Sequence, residues 1–245
     1  MRTPIFGRLV FGASAVLFGV IALMWHDAYT WQSLYAILSL PLGLVVGGCL
    51  MVAQIAGGVG LSIARTTRAA SIVLIVVYTV FVLACVPAIV KAPRVFDAYD
   101  GFFEQFSLLC GALAVYAVTQ PNALRSASLA RFARVGFGLS VISFTLAQAI
   151  FLKATTSLVP PWLPPNQMFW AILTTVAFAL AAIAILLNLQ ARLALRSLTL
   201  MLAIFGVLVW IPLLIAHPEA HLNWSEFALT WLITGAAWVV SNLYS

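Results

Sequence analysis

Five side chains capable of proton transfer stand at the ends of apolar runs: His26, Asp27, Glu104, His217 and Glu226. An imidazole beside carboxylates exchanges protons near neutral pH, and around the mouth of a helix bundle such a set could serve a quinol headgroup. A structural role competes with that reading. Carboxylates are favoured at helix N-termini by the helix dipole, Asn223 with Glu226 three positions on has the form of a capping box, and Asp100 can cap its own helix. The cysteines are Cys49, Cys85 and Cys110, with no CxxC spacing. Cys85 and Cys110 fall at similar depth in consecutive antiparallel helices and form a candidate thiol pair, although a buried thiol also serves as a small packing residue. His26 and His217 could reach one haem iron from two helices, but histidines at span ends more often belong to the interface, so no haem is expected. No metal-ligand spacing, Ser-His-Asp set, Walker loop or dinucleotide fingerprint occurs.

These residues are positioned by a chain that is 64% apolar and only 7% charged. Soluble domains carry roughly 25% charged residues, so the bilayer is the natural solvent. Apolar runs near 5–25, 34–56, 70–92, 102–119, 134–153, 167–188, 197–216 and 225–243 each approach the roughly 20 residues needed to cross about 30 Å of hydrocarbon. The expected fold is all-α: a polytopic membrane protein of about eight transmembrane helices. The first run follows Arg8 and lacks a small-x-small cleavage site, so it reads as a retained helix rather than a signal peptide. Pro87 and Pro212 lie inside spans, where kinks are expected.

Charge sets the orientation. The N-terminus and the loops after the second, fourth and sixth runs carry Arg2, Arg8, Arg65, Arg68, Arg125, Arg131, Arg134, Arg192 and Arg196. The remaining loops hold only Lys91, Arg94 and Lys153, together with all six acidic residues. Positive charge marks the cytoplasmic side, which places both termini there and explains the net charge of +6 without nucleic acid. No ionisable residue other than cysteine and tyrosine falls mid-span. A proton pump or carboxylate-lined cation path would need one despite the insertion cost of roughly 2.5–3.5 kcal/mol. Trp25, Trp31, Trp162, Trp170 and Trp224 form an interfacial belt on the acidic side.

The chain also repeats. Val82–Pro93 (VLACVPAIVKAP) aligns with Val207–Pro218 (VLVWIPLLIAHP), sharing both prolines; Arg8 corresponds to Arg134 and Arg65 to Arg192. Residues 1–122 and 131–245 thus read as two four-helix units entering the membrane the same way round, a parallel repeat. Gly43, Gly47 and Gly48 offer small-residue spacing for close helix approach.

The second unit contains VPPWLPP at Val159–Pro165, Phe169-Trp170 before an alanine-rich helix, Ala191–Ala194, Trp210–Pro218, Asn223–Leu229 and Gly235–Ala237. Over residues 134–243 this pattern resembles the DoxX family of small bacterial membrane proteins, and the first unit joins it through the repeat. The resemblance implies a tandem form of a four-helix protein in the bacterial cytoplasmic (inner) membrane. It also implies a redox-associated subunit, linked to quinone and supplied with electrons by a partner oxidoreductase. Two alternatives stand beside it: a non-catalytic scaffold or assembly protein, and a carrier of a lipid or small apolar molecule in a groove between the repeats, with Gln54, Gln148, Asn188 and Gln190 as its polar lining.

Overall fold

The structure is a computed structural model that describes residues 5–25 and 35–244. Its long helices are α1 (Ile5–Met24), α2 (Gly43–Ser62), α3 (Thr67–Lys91), α4 (Asp97–Ala117), α5 (Ala123–Ile150), α6 (Gln167–Leu186), α7 (Ala191–Ala216) and α8 (His221–Ser241). Short helices span Tyr35–Leu38 and Leu152–Leu158, and a π turn at Gly206–Trp210 interrupts α7. Seven of the long helices are long and apolar enough to cross a membrane. The other is α4, which carries Asp97, Asp100 and Glu104 in its first eight residues. It packs on α3, α5 and α8, so protein replaces much of the lipid around it. The chain is an all-α polytopic membrane protein.

Each helix packs on the next, and α8 returns to α1, closing a ring; α4 and α8 also meet across its centre. Glycines set the separations. A β-carbon at Gly235 would stand 2.5 Å from the Phe11 Cα, and one at Gly111 would stand 2.7 Å from the Ala236 Cβ. Gly12 and Gly58 oppose each other where α1 crosses α2. The glycines expected to mediate close approach behave differently: nothing lies within 4 Å of a β-carbon at Gly48, and Gly43 abuts the carbonyls of Ile37 and Leu38 in its own turn. Spacing cannot say which face of a helix meets a partner.

Phe11, Tyr78, Phe81 and Phe137 fill the core, while Leu44, Val59, Leu83, Leu180, Leu193 and Leu200 stay exposed around the girdle. In lipid such exposure carries no penalty.

Several boundaries move for identifiable reasons. The second span starts at Gly43 rather than near 34 because Pro41 disfavours helix at Leu40 and Leu42 adopts a left-handed φ of 62°. Helix α5 begins at Ala123, where the Asn122 side chain accepts from Arg125 N, so its polar first turns extend beyond the apolar run. The capping box does not form: α8 starts at His221 behind Ala220, and Asn223 Nδ2 instead donates to Leu213 O at 3.4 Å. Asp100 is no cap either, since α4 starts at Asp97 behind Phe96.

Candidate functional site

Among the described residues the arginines other than Arg94 and the acids occupy opposite ends of the bundle. Antiparallel packing of α1 on α8 brings Gly7 against Asn242 at one end and Trp25 against His221 at the other. At the acidic end, three loops close in the same way. Tyr99 Oη donates to Pro93 O at 3.0 Å, Trp170 Nε1 to Pro164 O at 2.8 Å, and Trp224 Nε1 to Pro218 O at 2.9 Å. In each case an aromatic donor six residues after a proline clasps the loop onto the start of a helix. Pro93–Tyr99 and Pro218–Trp224 each follow one of the two aligned sequence segments, Val82–Pro93 and Val207–Pro218, a signal present in the sequence that alignment of the prolines alone passed over.

His26 and Asp27 lie outside the described residues. His217 is exposed in the α7–α8 turn, its Nδ1 3.5 Å from Glu219 Oε1; an exposed pair of this kind contributes little. Glu104 and Glu226 are half-buried on α4 and α8. Glu104 sits two turns from Gly111 on the same face, close enough for its charge to act on Cys85 of α3. His221 stacks on Trp25 at 4.4 Å between ring centroids, with Trp224 beside it. No disulfide joins the cysteines among the described residues. Cys85 Sγ donates to Phe81 O, whereas Cys110 faces Gly136 on α5, so the two candidate partners address different neighbours. Among the described residues no group of three His, Cys, Asp or Glu side chains could hold a metal ion.

Asp100, ahead of the apolar stretch that starts at Phe102, is pushed up to about 6, first by burial and then by the charge of Asp97. Ser143 of α5 lies beside it and favours its charged form. A raised carboxyl stabilises the fold fully below its unfolded value, and that contribution is lost as pH rises through the folded value. Stability in detergent should therefore fall between about pH 4 and pH 6, and Asp100→Asn should flatten that part of a melting-temperature profile.

A ligand-sized groove of about 620 Å³ opens in the second half. The end of α5, the loop at Val159–Leu163, α6, α7 and Thr230 of α8 line it. Its wall along α7 runs from Ser197 to Trp210, about 20 Å at 1.5 Å per residue. Leu173, Leu200 and Ile204 are exposed at its mouth, so it opens sideways to the membrane. The π turn shapes its acidic-end half. Pro212 has no N–H for the Leu208 carbonyl, and the widened turn puts Leu208, Val209 and Trp210 on the groove wall. Gly206 allows this by packing against the Trp231 ring.

Polar groups are few: Gln148, Thr155, Thr174, Ser197 and Thr230 among mostly apolar side chains. Gln148 accepts from Thr175 Oγ1 at 3.1 Å, which leaves its amide N–H groups to donate, and Thr155 and Thr174 lie on the same wall. The other polar residues expected to line a groove do not. Gln54 is fully buried and donates to Ala15 O, tying α2 to α1, and Asn188 and Gln190 form the exposed α6–α7 turn with positive φ. The groove also lies inside the second unit rather than between units, because the π turn and the proline-rich loop occur there.

No family model, curated protein or solved structure matches this chain.

Proposed function

We propose that this membrane protein binds one long-chain apolar molecule with a small hydrogen-bond-accepting head, laid along α7 with its head toward Gln148. The observation that carries this reading is the groove: about 620 Å³, about 20 Å long, open to lipid, and lined almost wholly by apolar side chains with Gln148 as its amide. That volume falls in the usual range for ligand sites, and the length is roughly two thirds of a hydrocarbon core about 30 Å thick. A molecule dissolved in the bilayer enters sideways without crossing water.

The quinone-linked role that the DoxX-like motifs of residues 134–243 imply would use the same groove, since a quinone has an isoprenoid tail and carbonyl acceptors. In this reading the arginine-bearing end faces the cytoplasm of a bacterial cell with both termini, two four-helix units arose by duplication, and a partner oxidoreductase supplies electrons.

Ala177 lines the groove and is half-buried, so tryptophan there fills it. Organic extraction of purified wild-type protein, followed by mass spectrometry, should yield close to one chain-bearing molecule per protein. Ala177→Trp should lower that yield at least tenfold, while Val76→Trp on the exposed face of α3 should leave it unchanged. The extracted species separates quinone from phospholipid. Equal yields from wild type and Ala177→Trp would overturn the reading.

A further inference from the structure

Arg8, in the second turn of α1, is only 7% exposed. A buried charge is expensive unless a counter-charge or a full set of hydrogen bonds meets it. Its Nη1 donates to Thr67 Oγ1 at 2.8 Å, while its Nε has no partner. The ion pair among the described residues is His217–Glu219, at the other end. Every acid among the described residues (Asp97, Asp100, Glu104, Glu219 and Glu226) lies at that other end. No side-chain carboxylate among the described residues therefore neutralises Arg8.

Thr67 is the first residue of α3, a helix of 25 residues whose N-cap Thr66 makes no side-chain capping bond. The Thr66 hydroxyl points away, donating to the carbonyls of Gly60 and Ile63. The first N–H groups of α3 and the positive end of its dipole thus meet a buried guanidinium held against them by Thr67. Arg65 and Arg68 stand exposed on either side of this turn. A helix N-terminus with an arginine is suited to a phosphate oxyanion. In the corresponding place of the second half the arrangement differs: Arg134 Nη1 donates to Ile185 O and Leu186 O, so a helix C-terminus already supplies the negative pole.

We propose that Arg8, Thr67 and the start of α3 form a binding site for the phosphate of an anionic lipid headgroup at the arginine-bearing end of the bundle. The site lies on α1 and α3, apart from the groove on α6 and α7, and does not depend on what the groove binds. A lipid is the favoured source because this end of the helices meets the headgroup layer, where juxtamembrane arginines attract anionic lipid.

Native mass spectrometry of the full chain, titrated with dioleoyl phosphatidylglycerol or dioleoyl phosphatidylcholine, tests it. Wild type should hold one phosphatidylglycerol at least tenfold more tightly than phosphatidylcholine. Arg8→Gln should abolish that preference, Thr67→Val should weaken it, and Arg131→Gln, which removes an exposed arginine of α5, should preserve it. Should Arg8→Gln fail to fold, the Thr67→Val result and the melting temperature of wild type in each lipid decide the matter, with phosphatidylglycerol raising it more. Equal preference in wild type and Thr67→Val, or stabilisation of wild type by inorganic phosphate with no discrimination between the two lipids, would overturn the assignment.

Discussion

Valine at Gly58 should part α1 from α2 and cost the protein about 3 kcal/mol or more, at the upper end of what overpacking does in close-packed interiors. The two helices cross with backbone against backbone. A β-carbon at Gly58 would stand 2.5 Å from the Gly12 carbonyl oxygen, and one at Gly12 would stand 2.6 Å from the Gly58 carbonyl oxygen. Neither obstacle is a flexible side-chain tip, so relief requires moving a helix. Moving α1 also disturbs α8, because Phe11 on α1 packs against Gly235. Two of the ring's interfaces therefore loosen together. Tryptophan-fluorescence melting in detergent should show Gly58→Val and Gly12→Val falling by a similar amount, with Gly48→Val near wild type because nothing lies within 4 Å of that position. A Gly58→Val protein that melts with wild type would show that the helices do not cross here.

Phe11→Ala and Phe137→Ala should each cost about 2–3 kcal/mol and by nearly equal amounts. Both rings are fully buried, three residues beyond Arg8 and Arg134, the arginines that correspond in the two halves. Soluble cores lose about 3–5 kcal/mol for such a truncation, part of it for returning apolar surface to water. A membrane chain unfolds into lipid, so that part largely vanishes and the lost packing around the cavity remains. Unfolding in increasing mole fractions of a denaturing detergent measures both variants. Equal losses are what a duplicated architecture predicts. A loss at only one site would mean that the halves no longer share a core.

The sequence discloses a membrane protein because the cost of putting charge in hydrocarbon keeps arginine and carboxylate alike out of the apolar runs, without reference to any packing detail. The seven apolar helices follow from the same cost. Packing is less visible. Gly12 and Gly58 lie 46 positions apart, and only the fold tells which glycines meet. Pro41 could have warned that the second span starts late, since a helix usually ends before the residue preceding proline. Asp100 looked like a cap, yet the chain turns into helix three residues earlier. Gln148 was singled out as a groove residue for being a rare uncharged polar group within a span; Gln54 satisfied the same criterion but spends its amide on the Ala15 carbonyl. The groove itself could not be read, because it depends on how the π turn answers Pro212, whereas Pro87 sits in α3 with no such widening. The acid–histidine rim was legible as a collection of residues. His217 nevertheless points to solvent and His221 spends its ring on Trp25.

The most deeply buried span is made after every helix it touches. Helix α8 touches α1, α4, α5 and α7 and buries two thirds of its apolar window, a larger share than any other candidate span. Until it leaves the ribosome, Phe11 has no Gly235 to rest on and α4 has no Ala236 beside Gly111. Helices α1 to α7 thus wait in the membrane without the element that closes their ring, and the arrival of α8 converts them into a closed body. Quality control that recognises exposed small-residue faces within the membrane has that whole interval in which to act.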